Sequence, residues 1–226
     1  MSIRFEITRS NSLLDQYFQL REESFRSELG IENFDGSETE QDRSGQVLVA
    51  VDRDNQVLAG ARIIGTAPGA APRLPIESKQ FDLLSLFPDL RLADTPYCHW
   101  GRLVVHPQYR SKTFNRQFLQ RLIELSRSLG YHYAFVISDG NRSRYYQLLH
   151  SSLGYNFRSM HEEVAAAETS FAGLEHLVSY AVLRPETEFC YRSEMAALLA
   201  KTNPEMSAKQ FGGASQDTPN RLAQVA

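Results

Sequence analysis

The sequence predicts an α/β (α+β) fold in which a mixed central sheet of six to seven strands carries helices on both faces. Strand-like and helix-like segments follow one another in the order β, α, β-hairpin, short helix, β, α, β, α, β, β. The 226 residues are 42% hydrophobic and 23% charged, an ordinary globular composition that can bury one sizeable core. No internal repeat is evident in the sequence, so we exclude a solenoid or a propeller.

Charge and cysteine content narrow the range of partners. The net charge is −3, from 24 Lys+Arg against 27 Asp+Glu, so no positive excess attracts nucleic acid or an anionic membrane. Cys98 and Cys190 are too few for a disulfide framework and fit free thiols in a reducing cytoplasm. The apolar runs are too short for a membrane span, and the start of the sequence shows no secretory signal. We therefore expect a cytoplasmic protein.

The first elements predicted are a strand and a long helix. Ile3–Thr8 alternates apolar and polar residues, as a half-buried strand does. Asn11 or Ser12 is expected to cap a helix that ends near Leu29. One side of this helix carries Leu14, Phe18, Arg21 and Phe25.

Loops and a hairpin follow the first helix. Gly30–Gly45 is acidic and contains glycine and serine, so it predicts a mobile loop or a solvated linker. Gln46–Asp52 and Gln56–Gly65 predict a β-hairpin. Thr66–Pro75 is a proline-rich loop, and Phe81–Leu90 predicts a short helix.

The central segment predicts a strand, a helix and a second strand. Tyr97–His106 is rich in β-formers and ends at Pro107. Arg110–Leu129 is strongly amphipathic, with Gly130 as its expected C-terminal cap, and Tyr131–Ser138 follows as a strand. We expect the two strands to be parallel and joined by a right-handed crossover.

The remaining segments complete the predicted domain. Asn141–Leu153 predicts a helix, and Tyr155–Val164 and Glu175–Leu183 predict two strands. We expect residues 1–185 to form one domain, and residues 186–226 to form a helix followed by a disordered tail.

The junction between the central strand and helix is the most informative stretch. Unpaired N–H groups at a helix start suit the binding of a phosphate group. The run Leu103-x-Val105-x-Pro107-x-x-Arg110, followed by a helix, resembles the acyl-CoA-binding segment of GNAT-type N-acyltransferases. Leu148–Tyr155 resembles the Tyr-x-x-x-Gly-Phe ending of a later helix in the same superfamily. The resemblance implies a GNAT-like sheet and a donor site formed by Val105, Arg110, Ser111, Lys112, Thr113 and Asn115.

The donor segment departs from the superfamily in one respect. The superfamily usually follows the arginine with two glycines that let the backbone wrap the CoA pyrophosphate, and Thr113 and Asn115 occupy those places here. Side chains narrow the approach that glycine permits. An acyl carrier protein presents a phosphopantetheine arm with a single phosphate, so the departure favours acyl carrier protein over acyl-CoA. We expect the thioester donor to come and go, with no tightly bound cofactor.

The amino-terminal half resembles autoinducer (acyl-homoserine-lactone) synthases, N-acyl amino acid synthases and ornithine-lipid N-acyltransferases. Those families carry Arg-x-x-x-Phe on the first helix, an acidic loop, and a strand ending in Gly-x-x-Arg. They continue with a Thr/Pro-rich loop, a phenylalanine, and Glu-x-x-Arg on the fourth strand. The matching residues here are Arg21 and Phe25, then Glu38, Glu40 and Asp42, then Gly60-Ala61-Arg62 (one residue shorter), Phe81, and His99-x-x-Arg102.

Two departures concern the product. Homoserine-lactone synthases carry a tryptophan after the first helix, and Ile31 stands near its place. The fourth-strand glutamate is replaced by His99. Both argue against homoserine lactone as the product. The segment from Arg110 into the helix also resembles the N-acyl amino acid synthases and ornithine-lipid enzymes more than the lactone synthases.

The resemblance implies roles for the candidate catalytic residues. Amide formation from a thioester needs a base near neutral pH, and His99 has a suitable intrinsic pKa. Backbone N–H groups from Leu103 to Val105 would stabilise the oxyanion. His150 stands where the superfamily often has the tyrosine that protonates the sulfur, and Tyr145 or Tyr146 could serve instead.

The acceptor is expected to be amino-acid-like. Arginine binds carboxylates in a fork geometry, and an aspartate could hold an α-ammonium group. Candidate substrate-binding residues are Arg21, Phe25, Asp42, Arg62, Phe81, Trp100 and Arg102. Metal binding is not expected, because the six histidines show no paired spacing with cysteine.

The sequence therefore predicts an N-acyltransferase that moves an acyl group from a carrier-protein or CoA thioester to the α-amine of an amino-acid-like acceptor. The alternatives are an acyl-homoserine-lactone synthase, an ordinary acetyl-CoA-dependent GNAT, and a non-catalytic module that binds acyl groups or carrier protein.

Overall fold

A mixed sheet with strand order β1-β2-β3-β4-β5-β7-β6 organises the chain. The computed structural model describes residues 2–66, 74–77, 82–163, 171 and 173–184. The strands are β1 (Arg4–Ile7), β2 (Gln46–Val51), β3 (Val57–Gly65), β4 (Tyr97–Val105), β5 (Tyr133–Ser138), β6 (Phe157–Glu163) and β7 (Leu177–Val182). The helices are α1 (Asn11–Leu29), α2 (Glu40–Ser44), α3 (Leu83–Leu86), α4 (Lys112–Ser128) and α5 (Gly140–Ser152). The predicted mixed α/β sheet is confirmed, with seven strands in the described part of the chain.

The pairing of the strands is antiparallel except at the centre of the sheet. β4 and β5 are parallel, as predicted, and are joined by α4. Their ladder covers only three residue pairs, from Tyr97↔Tyr133 to His99↔Phe135, although both strands continue beyond it. The two strands therefore diverge after His99 and leave a gap in the middle of the sheet.

Alternate residues of β2 show how the two faces of the sheet are covered. Val47 and Val49 pack in a cluster with Leu13 and Tyr17 of α1. Leu48 lies in the other large cluster, which contains the apolar face of α4. Because successive side chains of a strand point to opposite faces, α1 and α4 cover opposite sides of the sheet.

Helix α1 differs slightly from its prediction. The helix is preceded by Ser10 in extended conformation, so the expected cap at Asn11 or Ser12 is wrong by one or two residues. Its buried side includes Tyr17, which the predicted apolar face left out. Tyr17 packs so closely on Gly60 of β3 that a Cβ at position 60 would lie 2.3 Å from its ring.

The acidic loop after α1 contains a helix that was not predicted. Helix α2 starts at Glu40 with a capping box, in which Thr39 and Asp42 hydrogen-bond each other's backbone N–H. The T-x-x-D sequence is the signal for this arrangement, and the acidic composition of Gly30–Gly45 obscured it. The prediction of a loop is therefore wrong for residues 40–44.

Several predictions fall outside the described residues. These are Phe81, most of the Thr66–Pro75 loop, and the helix and tail of residues 186–226. The boundary near residue 185 stays a prediction. No helix among the described residues has the length and hydropathy needed to cross a membrane.

Helix α2 is anchored by a buried ion pair, and this gives the first prediction. The carboxylate of Asp42 lies 3.0 Å from Nη1 of Arg21, and both side chains are about 1% exposed. Asp42→Asn should lower the free energy of unfolding by about 3–5 kcal/mol, because it leaves buried arginines without their counter-charge. Glu38→Gln, at the exposed Arg43 pair, should cost less than about 1 kcal/mol. Urea unfolding at pH 7 measures both.

The pH dependence of this difference provides a check. Burial acts to raise the pKa of Asp42, but the hydrogen bonds and charge of Arg21 bring it below the ordinary value of 3.8. The stabilisation is therefore complete above pH 3.8 and is lost as the pH falls through the lower folded-state pKa. If the difference in free energy of unfolding between the wild type and Asp42→Asn stayed constant on acidification, this account would be contradicted.

Candidate active site

The gap between β4 and β5 opens into a cavity of about 420 Å³. The cavity is reached from both sides of the sheet, because its walls include Phe25 of α1 and Phe118 of α4. β4 contributes every residue from His99 to Val105, and β5 contributes Val136, Ile137 and Ser138. The predicted residues His99, Trp100, Arg102, Leu103 and Val105 therefore come together in one site.

A bulge in β4 shapes the edge of this cavity. Gly60 and Arg62 of β3, two residues apart, face Val104 and Gly101, three residues apart, so β4 carries one extra residue. Arg102 has a φ of 57°, in the left-handed region. The hydroxyl of Tyr17 donates a hydrogen bond of 2.9 Å to the carbonyl oxygen of Arg102 and fixes the bulge. Beyond His99 the free edge of β4 faces the cavity and not a neighbouring strand.

Three of the side chains predicted to bind the acceptor are charged and buried, and they lie together at and behind one wall of the cavity. Asp42 accepts two hydrogen bonds from Arg21, of 3.0 and 3.1 Å, and one of 3.4 Å from Nη1 of Arg62. The remaining groups of Arg21 donate to the carbonyl oxygens of Gly36 and Ser37. Two cations thus share one anion, which leaves an excess positive charge in the interior.

Arg62 is the member of this group that reaches the cavity. Its side chain is 2% exposed and lines the wall, whereas Arg21 and Asp42 do not line it. The Nε of Arg62 has no hydrogen-bond partner among the described residues. Burial lowers the pKa of Arg62, and the charge of Asp42 opposes that effect.

His99 lies beside Arg62 on the same cavity wall. It is 8% exposed, and its Nδ1 has no hydrogen-bond partner in the described part of the chain. Burial, together with the positive charges of Arg62 and Arg102, lowers the pKa of His99 well below 6.5. The imidazole is therefore neutral at pH 7 and can accept a proton or donate from the nitrogen that carries one.

Three phenylalanines surround the guanidinium of Arg102. Its Cζ lies 5.7 Å from the ring centre of Phe25, 5.1 Å from that of Phe34 and 4.8 Å from that of Phe171. Such cation–π contacts hold a guanidinium in place at the cavity wall. Phe34 also packs against Phe25 at 4.7 Å, so it supplies an aromatic ring after α1 where the sequence comparison found only Ile31.

The two candidate proton donors of α5 differ in position. Tyr146 lines the cavity, and burial raises the pKa of its hydroxyl. His150 does not line the cavity, and its ring is stacked against Phe157 at 4.6 Å and Trp100 at 6.0 Å. Burial lowers the pKa of His150 to about 4, and its Nδ1 lies 2.7 Å from the carbonyl oxygen of Tyr146. Tyr146 is thus the better placed of the two.

Trp100 has a structural connection as well as a place in the wall. Its indole N–H donates a hydrogen bond of 2.8 Å to Oγ of Ser126 in α4. This bond satisfies the buried indole and ties β4 to α4.

The predicted donor site lies at the end of the cavity where α4 begins. Ser111 caps the helix by accepting a hydrogen bond of 3.2 Å from the N–H of Phe114, so this N–H of the first turn is satisfied within the helix. Arg110 and Asn115 line the cavity, while Lys112 and Thr113 are exposed on the first turn. The Nδ2 of Asn115 donates a 2.7 Å hydrogen bond to the hydroxyl of Tyr145 across the mouth.

Comparison of sequences identifies the family. The sequence model of the acetyltransferase (GNAT) family matches residues 12–155. The chain belongs to the GNAT acetyltransferase family. It is therefore an acyltransferase, and the predicted resemblance to this superfamily is confirmed. No curated protein matches the chain in sequence.

Solved structures with the same fold include enzymes of amide synthesis. The N-acyl amino acid synthase FeeM from uncultured soil microbes is 10% identical, with a TM-score of 0.56, and the match covers 82% of this chain and 93% of FeeM. The CoA-dependent acyl-homoserine lactone synthase BjaI is 17% identical, with a TM-score of 0.54 and coverage of 85% and 88%. The AHL synthase LasI is 14% identical, with a TM-score of 0.55 and coverage of 81% and 91%. At these identities the likeness concerns the fold.

Several residues of the site were not predicted from the sequence. Phe34 and Phe171 reach Arg102 from segments without a motif, and Glu28 reaches Arg110 from α1. Glu28 lies three residues after Phe25 on one helix, so helical spacing was the available signal. The sequence around Phe171 carried no such signal.

The position of the His99 ring gives a prediction for this site. A Cβ at Gly101 would lie 2.8 Å from Cε1 of His99, so Gly101→Ala must displace the ring. We expect kcat to fall about tenfold or more, because a small misplacement of a reacting group is costly. Gly140→Ala is the control, since its Cβ would meet only ordinary contacts of 3.6 Å. Steady-state kinetics of both variants, with melting temperatures, test the contact, and equal kcat values would contradict it.

Proposed function

We propose that this enzyme transfers an acyl group from a phosphopantetheine thioester to the α-amine of an acceptor that carries a carboxylate. Acyl carrier protein is the preferred donor and acyl-CoA the alternative. One observation carries the proposal: a single cavity joins the start of α4 to Nε of buried Arg62 and Nδ1 of His99, neither of which has a hydrogen-bond partner among the described residues.

Charge balance supports an anionic acceptor. Among the described residues, Arg21 and Arg62 share Asp42 as their one counter-charge, so this group leaves one positive charge uncompensated at the cavity wall. A buried charge is costly unless it is paired and hydrogen-bonded. An acceptor carboxylate that accepts from Arg62 Nε would supply the missing charge and hydrogen bond. Asp42, which the sequence analysis offered to an α-ammonium, is instead enclosed by arginines and outside the cavity wall.

His99 is the proposed base. The acceptor's ammonium must lose a proton before its nitrogen attacks the thioester carbonyl, and the neutral imidazole can take that proton. Burial first, and the charges of Arg62 and Arg102 next, hold the pKa of His99 low. A bound carboxylate would offset those charges and raise the pKa of His99, which makes it a stronger base when the acceptor is in place.

The remaining groups act on the thioester. Attack of the amine forms the C–N bond and places negative charge on the carbonyl oxygen, which the backbone N–H groups between Leu103 and Val105 would stabilise. The C–S bond then breaks, and the hydroxyl of Tyr146 would protonate the leaving thiolate. The second proton of the acceptor nitrogen would return to the Tyr146 oxygen, and His99 would release the first to solvent, so that one proton is released overall. The products are an amide and the free thiol of the phosphopantetheine arm.

The acyl chain has an apolar wall available. Phe118 and Leu119 of α4, Val136 of β5, and Leu149 of α5 line the same cavity. Burial of methylene groups there would favour a medium or long acyl chain over acetyl, at about 0.8 kcal/mol per methylene.

An acyl-homoserine-lactone synthase is the second candidate. The observation that favours it is Phe34, which packs on Phe25 and Arg102 and supplies an aromatic ring after α1. Its product would carry a lactone in place of the free carboxylate, so product analysis separates the two candidates.

The nature of the acceptor is tested directly. Purified enzyme is incubated with acyl carrier protein thioesters of several chain lengths and a mixture of amino acids, and the products are weighed by mass spectrometry. We expect N-acyl amino acids with a free carboxylate. Replacing the active acceptor with its carboxamide should lower kcat/KM by about 10–100-fold, because a charge-assisted hydrogen bond is lost. A carboxamide that reacts equally well would contradict the carboxylate site.

Tyr146→Phe tests the proton donor. The variant should lose about 10²-fold or more in kcat with little change in acceptor KM, because it removes the proton needed by the thiolate. His150→Gln is the comparison, since His150 lies outside the cavity wall, and it should retain kcat even if its melting temperature falls. If Tyr146→Phe kept its kcat and His150→Gln lost it, His150 would be the proton donor, as the resemblance in sequence implied.

A further inference from the structure

Arg110, the arginine of the donor segment, is already engaged by a carboxylate. Its Nη2 makes an ion pair with Glu28 of α1, and its Nε donates a 2.9 Å hydrogen bond to the carbonyl oxygen of Val105. Glu28 also accepts a 3.0 Å hydrogen bond from Oγ of Ser24, one turn earlier on α1. Both Arg110 and Glu28 line the cavity, and their side chains are 37% and 30% exposed.

Glu28 is ionised in this position. Burial acts to raise its pKa, but the hydrogen bonds from Arg110 and Ser24 bring the pKa below the ordinary value of 4.5. A donor phosphate that approaches Arg110 therefore meets a fixed negative charge, and it gains the guanidinium only by displacing Glu28. The cost rises with the number of negative charges that the donor brings.

We propose that Glu28 determines donor selectivity by discriminating against thioesters that carry a diphosphate, such as acyl-CoA. The phosphodiester of an acyl carrier protein brings one negative charge to this end of the cavity, whereas the diphosphate of CoA brings two. Glu28 repels the diphosphate more strongly than the phosphodiester, and its ion pair with Arg110 must break before either donor can bind that guanidinium. The Asn115–Tyr145 hydrogen bond adds a steric restriction at the same mouth.

This inference rests on the proposed function in placing the donor phosphate at the start of α4, but it is measured by donor binding alone. Isothermal titration of CoA and of holo-acyl carrier protein into wild type and Glu28→Gln provides the readout. We expect Glu28→Gln to bind CoA about five- to tenfold more tightly and the carrier protein only about two- to threefold more tightly, because its phosphodiester carries half the charge of the diphosphate. Glu32→Gln removes the same charge from an exposed site outside the cavity wall and should change neither.

A double variant tests whether the effect acts through Arg110. In Glu28→Gln/Arg110→Gln the gain in CoA affinity should disappear, since the released guanidinium is absent. An unchanged CoA affinity in Glu28→Gln, with an unchanged melting temperature, overturns the inference. An equal gain for both donors also overturns it. If no amino acid is acylated by wild type yet Glu28→Gln tightens CoA binding selectively, the proposed function fails and the selectivity role of Glu28 stands.

Discussion

The short ladder between β4 and β5 is the constraint on which the site depends. Strands that separate within a sheet leave backbone N–H and C=O groups without partners, and buried groups of this kind must be satisfied. One such group is satisfied at the bulge, because the hydroxyl of Tyr17 donates a hydrogen bond to the carbonyl oxygen of Arg102. Helix α1 is thereby fixed to β4 at the point of divergence. The cavity is consequently a property of the sheet itself, reached from both faces.

The same helix connects folding to the acceptor site. Arg21 lies one turn after Tyr17 and holds Asp42, which in turn starts α2 through its capping box with Thr39. Asp42 also contacts Arg62, whose Nε faces no partner in the described chain. The stability of the fold therefore depends on the Arg21–Asp42 ion pair, while the excess positive charge, on Arg62, lies at the cavity wall. A fold in which every buried charge had an internal partner would be more stable, but its cavity would have no unpaired positive charge to bind an anion.

The sequence predicted the sheet, the long helices and the hairpin because their apolar periodicities are strong and local. The site residues of β4 were predicted from the resemblance to family motifs, and they come together because one strand brings His99 through Val105 to the cavity. The sequence did not show that Arg21 and Asp42 would form a buried ion pair with each other, because burial and pairing depend on the tertiary structure. It also did not show Phe34 and Phe171, which converge on Arg102 from segments without periodicity. The short helix α2 was missed because acidic composition was weighted above its capping signal.

The two ends of the cavity use charge in opposite ways. At the acceptor end, two arginines share one aspartate and the balance is positive, so an anion is stabilised there. At the donor end, Arg110 has its own carboxylate, so the balance is neutral. Under the proposed function, a carboxylate-bearing acceptor would be attracted to Arg62 more strongly than to Arg110, whose charge Glu28 already neutralises. In the proposed reaction this asymmetry would bind the acceptor by its carboxylate beside Arg62 and His99 and leave the Arg110 end of the cavity to the thioester donor.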